Sequence, residues 1–460
     1  MATLGNKPQF GTYGFTRTQA ESFNGDGSTL SFTMGHYVKN AQDIEVLVDN
    51  VQQSPFDGSY SVNGTTLTFS GAPSVGTNNI YIVYRQAGTT LDTQTLVPDD
   101  NSVTYAKLGT DIPLGNRNLI SNGNFQIAQR GTTFTNAAGS TYKLDRWRDY
   151  IGEGTWTVSQ HSDGPAGHTQ CLRYEVTSAV GTPNSAVHIT TSIEGLNTTH
   201  LKWGTSNAES LTLSFWVKGS ITGRYNVEID TYDPSSTIYT NIQYFNINTA
   251  DTWEYKTILI PGRTAQGLRA TSERSIGINW WISAAGQFVT SADDPSDDGW
   301  ASGGYPNGQR GYGMSAMSGT AGSYIQLAGV QLEVGTKATQ FEFKPYANEE
   351  QECFRYFWRT PTGSYRIFGT QMISGTGSKG PITMPRRMRA SPSWSASGTF
   401  YLQSANNSIT TGTLAGAWTT SLNVDTTWLD FTGAVPSTTI GDLVFVGTYG
   451  SSYLEADAEI

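Results

Sequence analysis

The chain is poor in cysteine, in charge and in long apolar runs. Cys171 and Cys353 are the only cysteines among its 460 residues. Two cysteines cannot build a disulfide framework, and these lack the Cys/His spacing of a zinc site, so we expect two buried thiols. Charged residues make up 14% of the sequence. No apolar run approaches the roughly 20 residues that span a bilayer, which argues against membrane insertion.

Clustered positive charge and a secretory leader are also missing. The formal net charge is -10, whereas a surface that follows nucleic-acid phosphates needs clustered Lys and Arg. We therefore expect no nucleic-acid partner. The opening segment "MATLGNKPQFGTYGF" has neither the basic part nor the apolar core of a secretory signal. This predicts synthesis as a soluble chain in the cytoplasm.

Motifs for catalysis are absent as well. The five histidines show no HExxH or paired-ligand spacing, and no Gly-x-Ser-x-Gly elbow occurs. Glycoside hydrolysis needs two carboxylates at a suitable separation, and an acidic β protein offers such pairs by chance. The acidic residues considered for this role are Asp145, Glu175, Glu228, Asp230 and Glu254. We assign no catalytic residue and expect the protein not to be an enzyme.

What is present is the pattern of an all-β protein. The sequence has 51 glycines, and polar turns separate short runs of β-branched and aromatic residues. Its length suggests roughly three domains. Residues 22–88 alternate with period two and predict a small N-terminal antiparallel β domain, with a tight hairpin at Asn63-Gly64. Residues 1–21 lack periodicity and predict a docking arm that a partner orders.

Two further β regions follow. The sparse apolar residues of 89–118 fit either a flexible linker or a trimeric stalk, in which three chains bury them together. Residues 119–346 carry about nine strand patterns and predict a jelly-roll-like β-sandwich. Residues 361–460 continue the style and predict a distal C-terminal β domain.

One helix, over residues 347–360, is predicted to link the last two β domains. Pro345 precedes it, and Asn348 and Gln351 have the spacing of a capping box. Its apolar residues outnumber those that one helix face buries against a single neighbour. We therefore expect the helix to pack also against the next domain or another chain, as a rigid coupler.

The glycine-rich loop 299–313 is the first candidate glycan-binding region. It carries Trp300, Tyr305 and Tyr312 beside polar side chains. Aromatic faces offer apolar area to sugar rings, and neighbouring amides satisfy hydroxyl groups. The alternative is that Trp300 is the hydrophobic anchor of the loop itself.

The distal domain offers two further kinds of candidate. Trp418 and Trp428 are aromatic candidates for glycan contact, although "AGAWTTS" and "TTWLDF" leave open which way they face. Arg386, Arg387 and Arg389 form a local basic cluster. That cluster suits either an anionic surface polysaccharide or ion pairs with an adjacent subunit.

The acidic turn "SADDPSDDGW" is the candidate for a metal. Calcium prefers carboxylate and carbonyl oxygens, and the turn supplies Asp293, Asp294, Asp297 and Asp298. The spaced pattern of an EF-hand is absent, so a solvated turn is the alternative. No other cofactor is predicted.

Four blocks of the sequence resemble bacteriophage tail-fibre proteins. The segments "GVQLEVGTKATQFEFKPYANEEQECFRYF", "NLISNGNFQIAQRGTTF" and "YKLDRWRDY" resemble the close and the opening of a carbohydrate-binding-module-like sandwich in those proteins. The segments "PITMPRRMRASPSWSASG" and "DAEI" resemble their distal domain. The N-terminal "FNGDGSTLSFTM" and "IEVLVDNVQQ" resemble their particle-proximal domain.

This resemblance implies a structural protein of the virion tail, synthesised in the host cytoplasm and assembled as a homotrimer. Its N-terminal region is expected to dock on phage tail adaptor or nozzle proteins, and its distal part on a host surface polysaccharide. Two alternatives remain. One is a tailspike depolymerase, which would need a long parallel β-helix whose rung repeat is not evident here. The other is a purely structural tail adaptor.

Overall fold

The computed structural model shows an all-β protein, which confirms the predicted fold class. It describes residues 20–85, 115–297, 299–363, 366–374, 376–404, 409–417, 426–432, 438, 440–448 and 450–460. The chain divides into two compact units, 1–104 and 105–460. Nearly all of the predicted docking arm and of the predicted stalk lies outside the described residues, and the last two residues of the arm, Ala20 and Glu21, belong to the first strand. In the described part no helix is long and apolar enough to cross a membrane.

The first unit is a small antiparallel β module. β1, β6, β3 and β4 hydrogen-bond in that order into a sheet, and β2 pairs with β5. Alternation puts Ile80 and Ile82 of one strand into the core, together with Leu67 of another. The strands of this module are β1 Ala20–Gly25, β2 Ser31–Val38, β3 Ile44–Val48, β4 Val51–Gln53, β5 Tyr60–Phe69 and β6 Gly76–Tyr84.

The predicted hairpin at Asn63-Gly64 does not form. Both residues lie inside the ten-residue strand β5. Gly64 has a φ of 65°, and the register between β2 and β5 shifts between Thr33 and Val38. A left-handed glycine opposite such a shift marks a bulge, in which the strand bends and continues. The Asn-Gly pair therefore introduces a bulge into the strand and does not end it.

The second unit begins with a sandwich built from one long, curled antiparallel sheet. The strand order is β14, β11, β17, β9, β8, β10, β15, β12, β13, β16, and β7 pairs with β8. A one-turn helix α1, Asn307–Arg310, lies between β16 and β17 in the sequence. The strands are β7 Thr133–Gly139, β8 Trp147–His161, β9 Cys171–Ser178, β10 Ala186–Glu194, β11 Leu211–Gly219, β12 Gly223–Tyr232, β13 Ile238–Ile247, β14 Glu254–Ile260, β15 Arg274–Ala284, β16 Ala301–Ser302 and β17 Tyr324–Val334.

Strand β8 belongs to both layers of the sandwich. Its first half pairs with β10 and its second half with β9. The layers meet in an aromatic core, where the rings of Phe215 on β11 and Trp280 on β15 lie 5.9 Å apart, edge to face. Trp147 packs 5.5 Å from Trp280. Cys171 and Cys353 are buried free thiols, as predicted.

The distal module is a closed six-stranded barrel with a small accessory sheet. The barrel order is β19, β20, β24, β23, β22, β25, and β26 lies between β18 and β21. Phe400, Leu402 and Phe431 are buried inside the barrel. The strands are β18 Phe357–Arg359, β19 Arg366–Ser374, β20 Gly377–Thr383, β21 Ser393–Ser397, β22 Phe400–Ser404, β23 Ile409–Ala417, β24 Thr426–Thr432, β25 Leu443–Thr448 and β26 Tyr453–Asp457.

The linking helix α2 spans Tyr346–Phe354, shorter than the predicted 347–360. Pro345 is its N-cap and no side chain caps it, so the predicted capping box at Asn348 is wrong and that residue lies within the helix. The helix ends early because Phe357 belongs to β18 and pairs with Asp457 of β26. The backbone of β18 therefore forms hydrogen bonds in a sheet and not in a helix.

Helix α2 and two buried charges connect the distal barrel to the sandwich. Glu349 of the helix accepts a hydrogen bond from the buried backbone N–H of Asn122. Arg146 of the sandwich forms an ion pair with Glu459, and the two side chains are 3% and 2% exposed. These contacts lie within the single compact unit 105–460.

Candidate functional site

A polar cleft of about 180 Å³ lies on the outer face of the layer formed by β8, β10, β15 and β12. Strand alternation builds it, because Trp280 of β15 points into the core while Asn279 and Trp281 lie on the opposite face. The register places His188 of β10 opposite both Tyr150 of β8 and Trp281. Facing pairs of this kind bring side chains from four strands into one surface.

An aromatic stack forms one side of the cleft. The ring of Tyr150 lies parallel to that of His188, 5.2 Å away at an interplanar angle of 16°. His188 in turn contacts Trp281, with centroids 5.1 Å apart. Trp281 is buried, whereas Tyr150 is 37% exposed. The outermost ring is therefore the one that a ligand can reach.

Hydrogen bonds fix the polar side of the cleft. Nε1 of Trp281 donates to Oε2 of Glu228 at 2.9 Å. Nδ2 of Asn279 donates to Oδ2 of Asp230 at 2.8 Å, and Oγ1 of Thr190 donates to Oδ1 of Asn279 at 2.7 Å. Because these groups orient one another, the cleft holds its donors and acceptors in fixed positions.

The titration of two groups in the cleft is strongly perturbed. Burial, and after it the charge of Asp230, raises the pKa of Glu228 to about 7. Burial, and after it the nearby arginines, lowers the pKa of His188 to about 3, so this imidazole is neutral at physiological pH. Sites that bind or transform ligands commonly concentrate such shifts.

Three arginines, Arg148, Arg274 and Arg310, also line the cleft. Nη2 of Arg274 donates to Oδ2 of Asp230 at 3.0 Å. Nε of Arg310 lies 3.3 Å from Oε1 of Glu228. Arg148 is exposed at the edge of the cleft. This concentration of arginines contrasts with the net charge of -10 for the whole chain.

The glycine-rich loop 299–313 contributes one wall of the cleft, through Arg310. Nδ2 of Asn226, on β12, donates to the backbone oxygens of Arg310 and Tyr312 at 2.9 and 3.1 Å. These bonds hold the loop against the strand that carries Glu228. The predicted loop therefore reaches the cleft with an arginine instead of its aromatic rings.

Trp300 and Tyr305, the first two aromatic candidates, serve the loop itself. Nε1 of Trp300 donates to the backbone oxygen of Pro261 at 3.1 Å, and its half-buried ring packs edge to face on Trp203. Tyr305 is 6% exposed, and its hydroxyl donates to the backbone oxygen of Gly299 at 2.9 Å. The Tyr305 ring is not available for stacking, and Trp300 matches the anchor alternative.

Tyr312 and the acidic turn meet at Arg224. Arg224 donates two hydrogen bonds to Asp294, at 2.5 and 2.7 Å, and its guanidinium lies 5.1 Å from the half-buried ring of Tyr312. Asp293 is exposed. Across the described residues no three His, Cys, Asp or Glu side chains are placed to hold a metal ion. Asp294 thus binds an arginine.

Several candidates cannot be placed. Trp418 and Asp298 lie outside the described residues, and only the backbone is described for Trp428 and Asp297. In β24 the backbone of Trp428 pairs with Pro381.

Trp216 lies in a second groove of about 580 Å³ on the other layer of the sandwich. Its ring packs 5.3 Å from that of Tyr255, and both are partly exposed. Phe341 and Phe343 line the same groove.

Sequence patterns carried a weak signal for the cleft. Polar residues alternate with apolar ones in "VHITTS", "VEIDTY" and "GINWWIS", which the period-two pattern alone assigns to an ordinary solvated face. Their convergence depends on the order β8, β10, β15, β12, in which strands distant in sequence are neighbours. That order is not encoded in any single strand.

Comparison with known proteins gives structural likeness alone. No protein-family model and no curated protein matches the sequence. The enzymatically active domain of bacteriophage CBA120 tailspike protein 4 is similar at 14% identity and a TM-score of 0.28, over 47% of this chain and 21% of that one. This chain thus spans about a fifth of the tailspike chain.

Two similar structures are carbohydrate-binding modules. A CBM4 structure is 16% identical with a TM-score of 0.25, over 47% of this chain and 99% of that one. TmCBM61 in complex with β-1,4-galactotriose is 9% identical with a TM-score of 0.24, over 48% of this chain and 100% of that one. Because these scores are low, what the cleft binds has to be inferred from its own residues.

Proposed function

We propose that this protein is the receptor-binding subunit of a phage tail fibre, which attaches the virion to a host surface polysaccharide. The sandwich cleft binds the glycan, the N-terminal region docks on tail adaptor or nozzle proteins, and three chains form the fibre. The sequence blocks that resemble tail fibres support the virion role. The observation that carries the glycan role is the cleft, in which one exposed ring faces a fixed set of polar groups.

The chemistry of the cleft suits a sugar. A sugar ring has apolar C–H faces and a polar rim, so it needs an aromatic surface beside oriented donors and acceptors. Tyr150 supplies the reachable ring, while Asn279, Asp230 and Arg310 supply the polar partners. A single small cleft of this kind binds weakly. Linking three copies in one fibre raises the avidity without new contacts.

Binding without cleavage is the proposed mode. Glu228 and Asp230 are neighbouring carboxylates, and the raised pKa of Glu228 is the one feature that favours a depolymerase. Asp230, however, accepts hydrogen bonds on both oxygens, from Arg274 and Asn279 on Oδ2 and from Thr240 on Oδ1. Three accepted hydrogen bonds stabilise the negative charge of this carboxylate and so make it a weaker nucleophile and a weaker base.

A glycan array tests the proposal. The array carries neutral and acidic bacterial surface polysaccharides and is probed with the parent protein and with Tyr150→Ala. We expect the parent to bind at least one polysaccharide, and the variant to lose roughly 5- to 150-fold in affinity for it, since stacking is worth roughly 1–3 kcal/mol.

Tyr255→Ala is the matched control, because Tyr255 is 43% exposed but lies on β14 in the other layer. Its binding should equal that of the parent. A parent that binds no polysaccharide, or binding that Tyr150→Ala leaves intact, would show that the cleft is not a glycan site.

A further inference from the structure

Three arginines and three acidic residues line the cleft, and most of these charges are paired. Arg274 is paired with Asp230, and Arg310 lies beside Glu228. Asp149 also borders the cleft, but its carboxylate lies 3.4 Å from the Nζ of Lys143. The backbone of Arg148 pairs with Thr190, but its side chain forms neither a hydrogen bond nor an ion pair with any described residue. One guanidinium charge therefore remains uncompensated at the edge of the cleft.

Two further arginines in the cleft have unused donors. The Nε atoms of Arg274 and Arg310 are buried and have no hydrogen-bond acceptor. The 3.3 Å approach of Arg310 to Glu228 is an ion pair without hydrogen-bond alignment. The Oε1 atom of Glu228 that faces Nε of Arg310 is likewise buried without a donor. A ligand therefore meets the outer guanidinium nitrogens of Arg310, whose side chain is 29% exposed.

We propose that the sugar bound in this cleft is acidic and that its carboxylate is held by Arg148 and Arg310. This inference rests on the proposed glycan-binding function and adds the class of sugar. A guanidinium presents parallel N–H donors that match the two oxygens of a carboxylate, and such charge-assisted pairs are stronger than bonds to neutral hydroxyl groups. Proton uptake by Glu228, whose pKa is raised by burial, further reduces the negative charge that competes for Arg310.

The position of the charge matters because the protein as a whole is acidic. A net charge of -10 repels a polyanion over most of the surface. Recognition of an acidic polysaccharide therefore requires a local basic site. Arg386 and Arg387 in the distal module are a competing location, since both are exposed. Arg389 is used within the chain, where it donates to the backbone oxygens of Ala458 and Glu459.

The first test compares each acidic polysaccharide with its own neutral form. Polygalacturonate, alginate and hyaluronan are used alongside the same polymers after chemical reduction of their carboxyl groups to primary alcohols, with the full-length protein. We expect at least one acidic polymer to bind, with an affinity that falls with added salt, and its reduced form to bind at least about tenfold more weakly.

The second test uses variants. Arg148→Gln and Arg310→Gln should each weaken binding of that acidic polymer at least about tenfold, and Arg148→Gln should keep the parent melting temperature because its side chain is exposed and unpaired. Arg387→Gln is the control with the same change in charge, and it should bind as the parent does.

The outcomes separate this inference from the proposed function. Equal binding of acidic and reduced forms, or binding of neutral array polysaccharides alone, overturns the acidic-sugar inference and leaves glycan binding standing. Loss of binding in Arg387→Gln with none in Arg148→Gln overturns the inference in favour of the distal cluster. Absence of binding to every acidic and neutral polysaccharide refutes the glycan function itself.

Discussion

Glu228 is a carboxyl group that the fold keeps away from water on a strand of alternating polar and apolar residues. Its ordinary pKa of 4.5 is raised to about 7, mainly by burial. The folded state therefore binds the proton more tightly than the unfolded state. The stability contributed by this group is fully present below about pH 4.5 and is lost as the pH rises to about 7.

Replacing Glu228 by Gln removes this dependence. We expect the stability of Glu228→Gln, relative to the parent, to rise between pH 4.5 and 7, by up to about 3 kcal/mol, because the amide stays neutral. Urea denaturation of both proteins at pH 4.5, 6 and 8 measures it. The opposing effect of His188, which destabilises both proteins as the pH falls below about 6.5, cancels in the difference. A difference that is the same at all three pH values would contradict the assignment.

Tyr305 gives a second prediction for a single residue. Because its ring is buried and its hydroxyl donates to the backbone oxygens of Gly299 and Pro295, Tyr305→Ala should cost about 3–5 kcal/mol and clearly lower the melting temperature. Tyr305→Phe keeps the ring and should cost only about 1 kcal/mol. Thermal unfolding measures both. If Tyr305→Ala melts like the parent, the ring is not a structural anchor.

At the scale of elements, the sequence predicts strands well and their termini less well. Period-two alternation in "LTLSFWVKG" and "NNIYIVYR" reflects burial of one face, so these runs lie in β11 and β6. The Asn63-Gly64 pair fails as a hairpin signal because the same positive φ that suits a turn also suits a bulge. The predicted end of α2 is wrong because Phe357 pairs with Asp457, a residue distant in sequence, and this strand pairing replaces the helix that the local apolar spacing predicts.

The cleft could be predicted even less than the strands. Aromatic residues in a glycine-rich loop are a reasonable signal for sugar binding, yet the sequence does not show which rings the loop needs for its own packing. The sequence shows Glu228 and Asp230 only as two acidic residues of one strand. The contacts of Glu228 with Arg310 and Trp281 depend on the order of the strands in the sheet. Side chains from four strands form this site, and pairing between strands is a property of the complete sheet.

A buried ion pair between Arg146 and Glu459 is one of the contacts between the sandwich and the distal module. Glu459→Gln leaves Arg146 buried without its charge partner, which typically costs about 3–5 kcal/mol. We expect the chemical denaturation midpoint of the unit 105–460 to fall accordingly. Glu209→Gln is the matched control, because the ion pair of Glu209 with Lys202 is exposed and contributes at most about 1 kcal/mol to stability. Equal effects of the two changes would show that the buried pair contributes nothing special.

At the scale of the whole molecule, binding and cleavage make different predictions. Incubation of the parent protein with a polysaccharide that it binds should release no new reducing ends, because three donors stabilise the charge of the Asp230 carboxylate and weaken it as a nucleophile and base. A reducing-sugar assay over time, with Glu228→Gln as the comparison, measures this. Chain shortening by the parent that Glu228→Gln abolishes would favour a depolymerase in this cleft.

Two features of the sequence favour a trimer, the apolar residues of the linking helix and those of the segment 89–118, and the structure supports them unequally. The helix near Phe354 suggested an intermolecular contact, but Cys353, Tyr356 and Phe357 are already buried within the same chain. The sparse apolar residues of 89–118 therefore remain the principal reason. We expect the full chain to have three times the mass of 49.8 kDa in light scattering, and the fragment 115–460, which retains the sandwich and distal barrel, to be a monomer.

On a polysaccharide-coated surface the full chain should dissociate at least about a hundredfold more slowly than the fragment, since linked sites raise avidity. The affinities of the full chain and of the fragment for a short oligosaccharide in solution should agree. A monomeric full chain would refute the stalk, and a trimeric fragment would place the contacts between chains in the distal unit.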